Sequence, residues 1–211
     1  MLEHSEINKV LQLLKANYNH TKTGLKYNNP FQLLISTMLS AQTTDRQVNK
    51  VTKNLFMTHP DVYSFQNLSL TELELKIKSI GLYRSKAKNI LATCNLLVKR
   101  YNGKIPHSRE ELMKFPGIGR KIANVFLSII TDIDAIAVDT HVFRVSNRIG
   151  LAEAKDVLKT EQQLMINIEQ EDWNDAHHWL IWHGRKICKA RNPLCDSCFL
   201  NKHCLFFIKK E

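Results

Sequence analysis

The chain has 211 residues, of which 44% are hydrophobic and 24% are charged. This balance is ordinary for a globular protein and excludes a disordered chain, a collagen-like repeat and a coiled coil as descriptions of the whole sequence. The length has room for one large domain or two small ones. Because 30 lysines and arginines face 20 aspartates and glutamates, the formal net charge is +10, and a polyanion is the first partner to consider.

The N-terminal segment does not resemble a targeting signal. Acidic residues such as Glu3 and Glu6 stand where a signal peptide is basic, and no apolar stretch follows them. No part of the sequence approaches the roughly 18 apolar residues of a membrane-spanning helix. We therefore expect a soluble, cytoplasmic protein that does not bind membranes, nucleoid-associated if it is bacterial.

Apolar residues recur at helical spacing along the chain, without the period-two alternation that is typical of strands. The pattern predicts an all-α fold. Asn29 before Pro30 has the placement of a helix N-cap, and Ser108 with Glu111 three residues later has the spacing of a capping box. The predicted helices cover Ser5–Tyr18, a buried segment from Pro30, Asp45–Thr58, Thr71–Ile77, Ser85–Tyr101, Arg120–Ile130, Thr140–Arg148, Thr160–Ile168 and Trp173–Ile187.

The segment LMKFPGIGRKIA, residues 112–123, is the most informative in the chain. Gly117 and Gly119 let the backbone turn sharply between two helices, so that amide N–H groups can point outward at a helix N-terminus. Ile118 between them is placed to anchor the turn in the core, and Arg120 adds positive charge beside it. Such a turn can hold a phosphate, so we predict that this hairpin binds the DNA backbone.

Four of the five cysteines lie in the last 24 residues, whereas Cys94 falls on the apolar face of a predicted helix and is expected in the core. The C-x6-C-x2-C-x5-C spacing of the four could hold a tetrahedral zinc ion or a [4Fe-4S] cluster. Four thiolates can bind either the zinc ion or the cluster, so the ligand type does not distinguish them, and the spacing alone slightly favours zinc. The candidate ligands are Cys188, Cys195, Cys198 and Cys204.

Basic residues lie between these cysteines, at Lys189, Arg191 and Lys202. A loop pinned by a metal would hold such cations against phosphates, although a solvated basic loop explains them equally well. His183 and His203 are nearby but surplus to the ligand set, and we expect them at the surface or facing DNA.

The segment LMKFPGIGRKIANVFL followed by AVDTHVFRVSNR resembles the helix-hairpin-helix DNA glycosylases, and most closely the endonuclease III family within them. NPFQLLISTMLSAQTTD, IGLYRSKAKNI, HHWLIWHGRKIC and the terminal cysteine spacing are similar to that family's segments in the expected order, so the likeness spans nearly the whole chain. The resemblance implies two helical domains with DNA bound in the cleft between them. One covers 22–132 and carries the hairpin, and the other covers 1–21 plus 133–211. It also implies a [4Fe-4S] cluster, since the cysteine spacing matches the family's without departure.

The resemblance gives four side chains a role beyond the structural one that each could have. Lys121, otherwise a solvated or phosphate-binding lysine at a helix start, matches the amine nucleophile that attacks the sugar C1′ and becomes a Schiff base. Asp139, otherwise a helix N-cap, matches the aspartate that stabilises positive charge on the sugar. Gln42, otherwise part of a helix-capping segment, matches the glutamine that fills the hole left by an extruded nucleotide, assisted by a leucine matched here by Leu82.

These features together predict a monomeric bifunctional DNA glycosylase and abasic-site lyase. It would excise oxidised pyrimidines from duplex DNA in base excision repair through a lysine Schiff base and β-elimination. An adenine mismatch glycosylase of the same superfamily is one alternative, although that branch generally lacks the hairpin lysine and carries an additional C-terminal domain. A non-catalytic DNA-binding module is another alternative, and it leaves Gln42 and the VDTH segment unexplained.

Overall fold

The structure is a computed structural model that describes residues 1–18, 24–131 and 136–209. Over these ranges the regular secondary structure is helical and contains no strand, which confirms the all-α prediction. The chain divides into two compact units, one formed by Met1–Thr23 with Ile133–Glu211 and the other by Gly24–Asp132. No helix among the described residues is long and apolar enough to cross a membrane.

The helices follow one another with short connections, and two 3-10 turns at Gln170–Asp172 and Asn201–His203 precede the last two α-helices. The α-helices are α1 His4–Tyr18, α2 Pro30–Ser40, α3 Asp45–Thr58, α4 Val62–Gln66, α5 Leu70–Ile77, α6 Tyr83–Tyr101, α7 Arg109–Leu112, α8 Arg120–Ile130, α9 Thr140–Ile149, α10 Val157–Asn167, α11 Trp173–Lys186 and α12 Leu205–Ile208.

Side-chain caps fix several helix starts. The Asn29 side chain accepts a hydrogen bond from the Gln32 N–H at 2.9 Å ahead of α2, which confirms the predicted cap. Ser108 Oγ accepts from the Glu111 N–H at 3.4 Å ahead of α7. The predicted capping box forms only this half, because the Glu111 carboxylate accepts from Tyr101 Oη at 2.6 Å and so ties α7 to the end of α6.

The core of the Gly24–Asp132 unit surrounds α2, whose residues from Phe31 to Leu39 are all buried. A helix that is apolar on most of its faces needs neighbours on all sides, and α2 packs against α3, α6 and α8. Phe115 and Ile118 of the glycine turn belong to the same core. The turn is therefore attached to the most buried part of its unit.

The other unit is built around α11, which packs against α1 and α9. Trp179 of α11 is 1% exposed and lies in a core with residues of α1, α9 and α10. Leu200, which is fully buried in the same core, belongs to the cysteine-bearing segment. The segment is therefore attached to the helices of this unit by apolar packing as well as by any metal.

Candidate nucleic-acid and iron-sulfur sites

The turn between α7 and α8 depends on glycine at one position. Gly117 has φ +77°, a conformation that residues with a Cβ rarely adopt. A Cβ at this position would also stand 2.6 Å from Asn89 Nδ2. Thr93 Oγ1 donates to the Pro116 carbonyl at 3.2 Å, so α6 is hydrogen-bonded to the start of the turn.

The second glycine of the turn has another use. Gly119 is the N-cap of α8 with φ −90°, a conformation open to any residue, and it gives the helix no side-chain cap. Apart from Gly119 itself and its two chain neighbours, no atom of the described residues lies within 4 Å of the place that its Cβ would occupy. Ile118 is 4% exposed, which confirms it as the anchor, and Arg120 and Lys121 occupy the first turn of α8 with Lys121 exposed. An anion can therefore approach this helix N-terminus closely.

Asp139 is the N-cap of α9, as predicted. Its Oδ1 accepts hydrogen bonds from the backbone N–H groups of His141 and Val142, each at 2.8 Å. The residues before it, 136–138, are buried in the core of their unit, whereas Asp139 itself is partly exposed. The carboxylate is thus held in one place at a helix N-terminus, so a capping role and an electrostatic role are compatible.

Gln42 and Leu82, predicted from the resemblance to act together, lie in two neighbouring turns. Gln42, between α2 and α3, has φ +56°, and Leu82, just before α6, has φ +59°. Both side chains are exposed, Leu82 to 63%. A Cβ on Gly81 would stand 3.6 Å from Gln42 O, so the two turns lie against each other.

Lys86 was not singled out from the sequence. Its Nζ donates to the carbonyls of Leu39 at 2.8 Å and Ala41 at 2.6 Å, at the end of α2. The residue is 7% exposed, and burial lowers the pKa of its amine. A signal was present, because Lys86 stands four residues before Ile90 on the apolar stripe of α6, where a lysine is unusual.

The four C-terminal cysteines line one pocket, together with apolar side chains such as Ile149, Leu194 and Leu200. Among the described residues, no group of three or more His, Cys, Asp or Glu side chains is arranged to hold a metal ion. A single zinc ion needs all its ligands about 2.3 Å from one point, whereas a cubane offers each thiolate a separate iron and so holds the thiolates farther apart. Four cysteines share this pocket, which is the number of thiolates that a [4Fe-4S] cluster needs, so the donor set fits such a cluster.

Two arginines of α9 hold the first part of the cysteine segment, and the sequence did not indicate them. Arg144 Nη2 donates to the Cys188 carbonyl at 3.0 Å. Arg148 Nη1 and Nη2 donate to the carbonyls of Lys189 at 2.7 Å and Ala190 at 3.2 Å. These bonds fix the backbone after the first cysteine, where the side chains of Lys189 and Arg191 are exposed.

The expectation that His183 lies at the surface was wrong. It is 1% exposed, its Nδ1 lies 3.3 Å from Tyr18 Oη and its Nε2 lies 3.6 Å from Cys198 Sγ. It stands four residues after Trp179, on the stripe of α11 that faces the core. Of the other predicted residues in this region, Lys202 is exposed and His203 is partly exposed, with its Nδ1 2.7 Å from Glu6 Oε2.

Two family models match this chain. The model of the HhH-GPD superfamily of base excision DNA repair proteins matches residues 35–170, which include the hairpin and Asp139. The model of the iron-sulfur binding domain of endonuclease III matches residues 188–204, from the first to the last of the four cysteines. The chain belongs to the endonuclease III family.

Individual endonuclease III proteins are similar over almost their whole length. That of Buchnera aphidicola is 45% identical over 205 residues, which cover 97% of this chain and 95% of that protein. That of Escherichia coli is 43% identical over 196 residues, 93% of each. Two solved structures, a trapped endonuclease III–DNA covalent intermediate and a non-covalent endonuclease III–DNA complex, each match with a TM-score of 0.94 and 46% identity, covering 100% of this chain and 99% of the other.

Membership in the endonuclease III family establishes the class of activity. The protein is a DNA-binding enzyme of base excision repair, a DNA glycosylase and abasic-site lyase. Its cofactor is a [4Fe-4S] cluster, in agreement with the pocket that the cysteines line. The zinc alternative that the spacing alone slightly favoured is therefore wrong.

Proposed function

We propose that this endonuclease III family member excises oxidised pyrimidines from double-stranded DNA and cleaves the resulting abasic site, with Lys121 as nucleophile and Asp139 as its electrostatic partner. The single observation that carries the proposal is the place of Lys121, exposed in the first turn of α8 beside the open N-terminus at Gly119. A phosphate bound at this N-terminus would bring a neighbouring sugar within reach of the lysine amine.

The chemistry follows from an amine and a carboxylate. The Lys121 amine attacks the sugar C1′, the new N–C1′ bond replaces the glycosidic bond, and the base leaves with a proton. The ring oxygen takes a proton from solvent as the sugar opens to a protonated imine. The imine acidifies the C2′ proton, and loss of that proton to solvent is accompanied by cleavage of the C3′–O bond, whose electron pair leaves with the 3′ phosphate. The Asp139 carboxylate stabilises the positive charge that develops at the sugar during base departure.

The two proposed reacting groups belong to different units of the chain. Lys121 lies in the Gly24–Asp132 unit, and Asp139 lies in the unit that contains both ends of the chain. The proposal therefore requires that one DNA duplex contact both units. The DNA-binding cleft between the two domains stays a prediction from the sequence.

Further DNA contacts are proposed at three places. The backbone of Gly117, Ile118 and Gly119 with the Arg120 side chain binds a phosphate, since Ile118 can offer only its backbone. Lys189 and Arg191 bind phosphates, because the arginines of α9 hold the backbone beneath them while their side chains are exposed. Gln42 and Leu82 fill the gap left by the extruded nucleotide, and their adjacent exposed turns support this role.

Cys188, Cys195, Cys198 and Cys204 are proposed as the ligands of the cluster. They are the cysteines that share one pocket, and Cys94 is fully buried in the core of the other unit. When bound, the cluster links four points of the C-terminal segment to one another. The segment can then hold the exposed Lys189 against DNA.

Borohydride trapping tests the proposed nucleophile. Wild-type protein mixed with a duplex that contains an abasic site should give a covalent adduct on reduction, since an amine forms a reducible imine with the sugar aldehyde. Lys121→Ala should give none while still binding the duplex. Lys114→Ala, which removes an exposed lysine from the same hairpin, is the matched control and should trap like the wild type.

Each other outcome identifies a different alternative. Undiminished trapping in Lys121→Ala would place the nucleophile elsewhere. Absence of trapping in the wild type would favour a non-catalytic DNA-binding module. Preference for adenine in a mismatch over thymine glycol would favour the adenine mismatch glycosylase.

We also propose that the protein is a monomer. Light scattering on the 24.4 kDa chain tests this oligomeric state.

A further inference from the structure

The turns that carry Gln42 and Leu82 are both strained. Each residue has a side chain and a left-handed backbone, with φ +56° and φ +59°. Such conformations persist only where the surroundings over-determine them, and they concentrate at functional sites. Because both side chains are exposed, their own burial does not hold these conformations. Hydrogen bonds to the neighbouring backbone are another way to hold them.

Lys86 bonds to the Leu82 turn through its backbone and to the Gln42 turn through its side chain. Its backbone N–H donates to the Leu82 carbonyl at 3.1 Å, the first bond of α6. Its Nζ donates to the carbonyl of Ala41, which precedes Gln42, and lies 3.3 Å from Oγ1 of Thr43, which follows it. One residue therefore bonds to one turn through its backbone and to both sides of Gln42 through its ammonium group.

A second connection between the two segments does not involve Lys86. Gln47 Nε2 donates to Ser79 Oγ at 2.8 Å and so ties the start of α3 to the segment ahead of α6. This bond joins the two segments through residues that stand five positions after Gln42 and three positions before Leu82 in the sequence. The two connections therefore have different roles. Gln47 joins the two segments, and Lys86 fixes the peptide units around Gln42.

A lysine at the end of a helix has an ordinary structural use, because the last carbonyls of α2 lack partners within the helix and a cation there is favourable. Two features go beyond that use. The Lys86 ammonium is buried, which is costly unless oxygen partners surround it. Its partners on Ala41 and Thr43 flank the one residue of this turn with a left-handed backbone.

We propose that Lys86 is a positioning residue that holds Gln42 and Leu82 ready to fill the gap left by an extruded nucleotide. This rests on the proposed function, in which those two side chains enter the duplex. A turn that is already in the required conformation need not be ordered when DNA binds. This positioning should speed the reaction most where a base must be unstacked, and least where the base is already missing.

The test compares two duplexes that differ at one nucleotide, one with thymine glycol paired to adenine and one with a preformed abasic site. Single-turnover rates are measured for the full-length holoenzyme and for Lys86→Met, Gln42→Ala and the double variant, together with thermal unfolding. Lys88→Met removes an exposed lysine from the same helix and is the matched control. A 2-aminopurine beside the lesion reports unstacking by its fluorescence.

Lys86→Met should slow excision of thymine glycol by about 10-fold to 100-fold, the scale of a small displacement of a positioned group, with a much smaller loss at the abasic site. The 2-aminopurine signal should fall in parallel. Because Lys86 acts through Gln42, the double variant should be no slower than the slower single variant. Lys88→Met should match the wild type on both duplexes.

Equal losses on both duplexes, or losses that multiply in the double variant, would overturn the proposal and leave Lys86 a structural residue. If Lys86→Met does not fold, Lys86→Gln replaces it, since its amide keeps a donor for the α2 carbonyls, and it should show the same substrate-dependent loss to a smaller degree. Wild-type trapping at the abasic site is the independent check. Its failure would reject the proposed function, whereas trapping without the expected loss in the variants would reject only the role of Lys86.

Discussion

Arg148 Nη1 lies 3.6 Å from Cys188 Sγ, and the same guanidinium donates to the carbonyls of Lys189 and Ala190. Arg148 lies in the last turn of α9, and Asp139 caps the first turn of the same helix. One helix thus positions the proposed catalytic carboxylate at its start and the cysteine segment at its end.

Replacing Arg148 by methionine should weaken retention of the cluster. The substitution removes the donors to two carbonyls and a cation beside a thiolate ligand, and loss of such outer contacts typically lowers metal affinity by about 10-fold to 100-fold. The measurement is the rate at which visible absorption, iron and sulfide are lost in the presence of a chelator. Arg185→Met, at an exposed position of α11, is the control, and equal rates in the two variants would contradict the role given to Arg148.

The cluster should be present in the protein as purified without air. We expect about four irons and four sulfides per chain and a yellow-brown colour, by the stoichiometry of a cubane. Cys195→Ser should lose iron and weaken duplex binding through disorder of the C-terminal segment. Cys94→Ala, which changes a buried thiol in the other unit, should keep its iron. A colourless sample with one zinc per chain would show that the assignment is wrong.

Asp139→Asn should separate capping from catalysis. Asparagine caps helices about as well as aspartate, so the melting temperature should change little, whereas loss of the carboxylate should slow base excision by about 10²-fold to 10³-fold. Asp156→Asn is a close control, because Asp156 caps α10 by accepting from the Lys159 N–H at 2.8 Å. It should keep full excision activity. If Asp139→Asn unfolds the chain or leaves excision intact, capping was its whole role.

The elements with clear local signals were predicted well. The bounds of α3 and α8 match the predicted Asp45–Thr58 and Arg120–Ile130, because each carries an apolar stripe over three turns and begins at a recognisable cap or glycine. The five-residue α4 was missed, since five residues contain little periodicity. The Asp61 capping box was the only local signal there.

The residues that sequence reasoning missed have partners far away in the chain. The Lys86 ammonium binds carbonyls 45 and 47 residues earlier, and His183 meets Tyr18 across 165 residues. Periodicity places a residue on a buried face, but it does not identify the group across the contact. Roles in DNA contact and catalysis could be proposed from the sequence only because the motif around each residue is continuous and resembles a known family.

Substitution by alanine should lower the stability of the protein at one glycine of the hairpin and leave it almost unchanged at the other. Gly117→Ala should destabilise the protein by about 1–3 kcal/mol, because its φ of +77° is strained for alanine and the new Cβ would clash with Asn89. Gly119→Ala should keep stability within about 1 kcal/mol, since its φ of −90° suits alanine and, apart from its chain neighbours, no described atom lies within 4 Å of the added methyl group.

Gly119→Ala should bind duplex DNA more weakly than the wild type, although its stability is almost unchanged. The methyl group at Gly119 would occupy the open space ahead of α8, through which a phosphate must approach the helix N-terminus. Binding of undamaged duplex at low salt and denaturant-induced unfolding together measure the two effects. If Gly119→Ala binds duplex like the wild type, this N-terminus does not hold a phosphate, and the basic side chains beside it would have to account for backbone binding on their own.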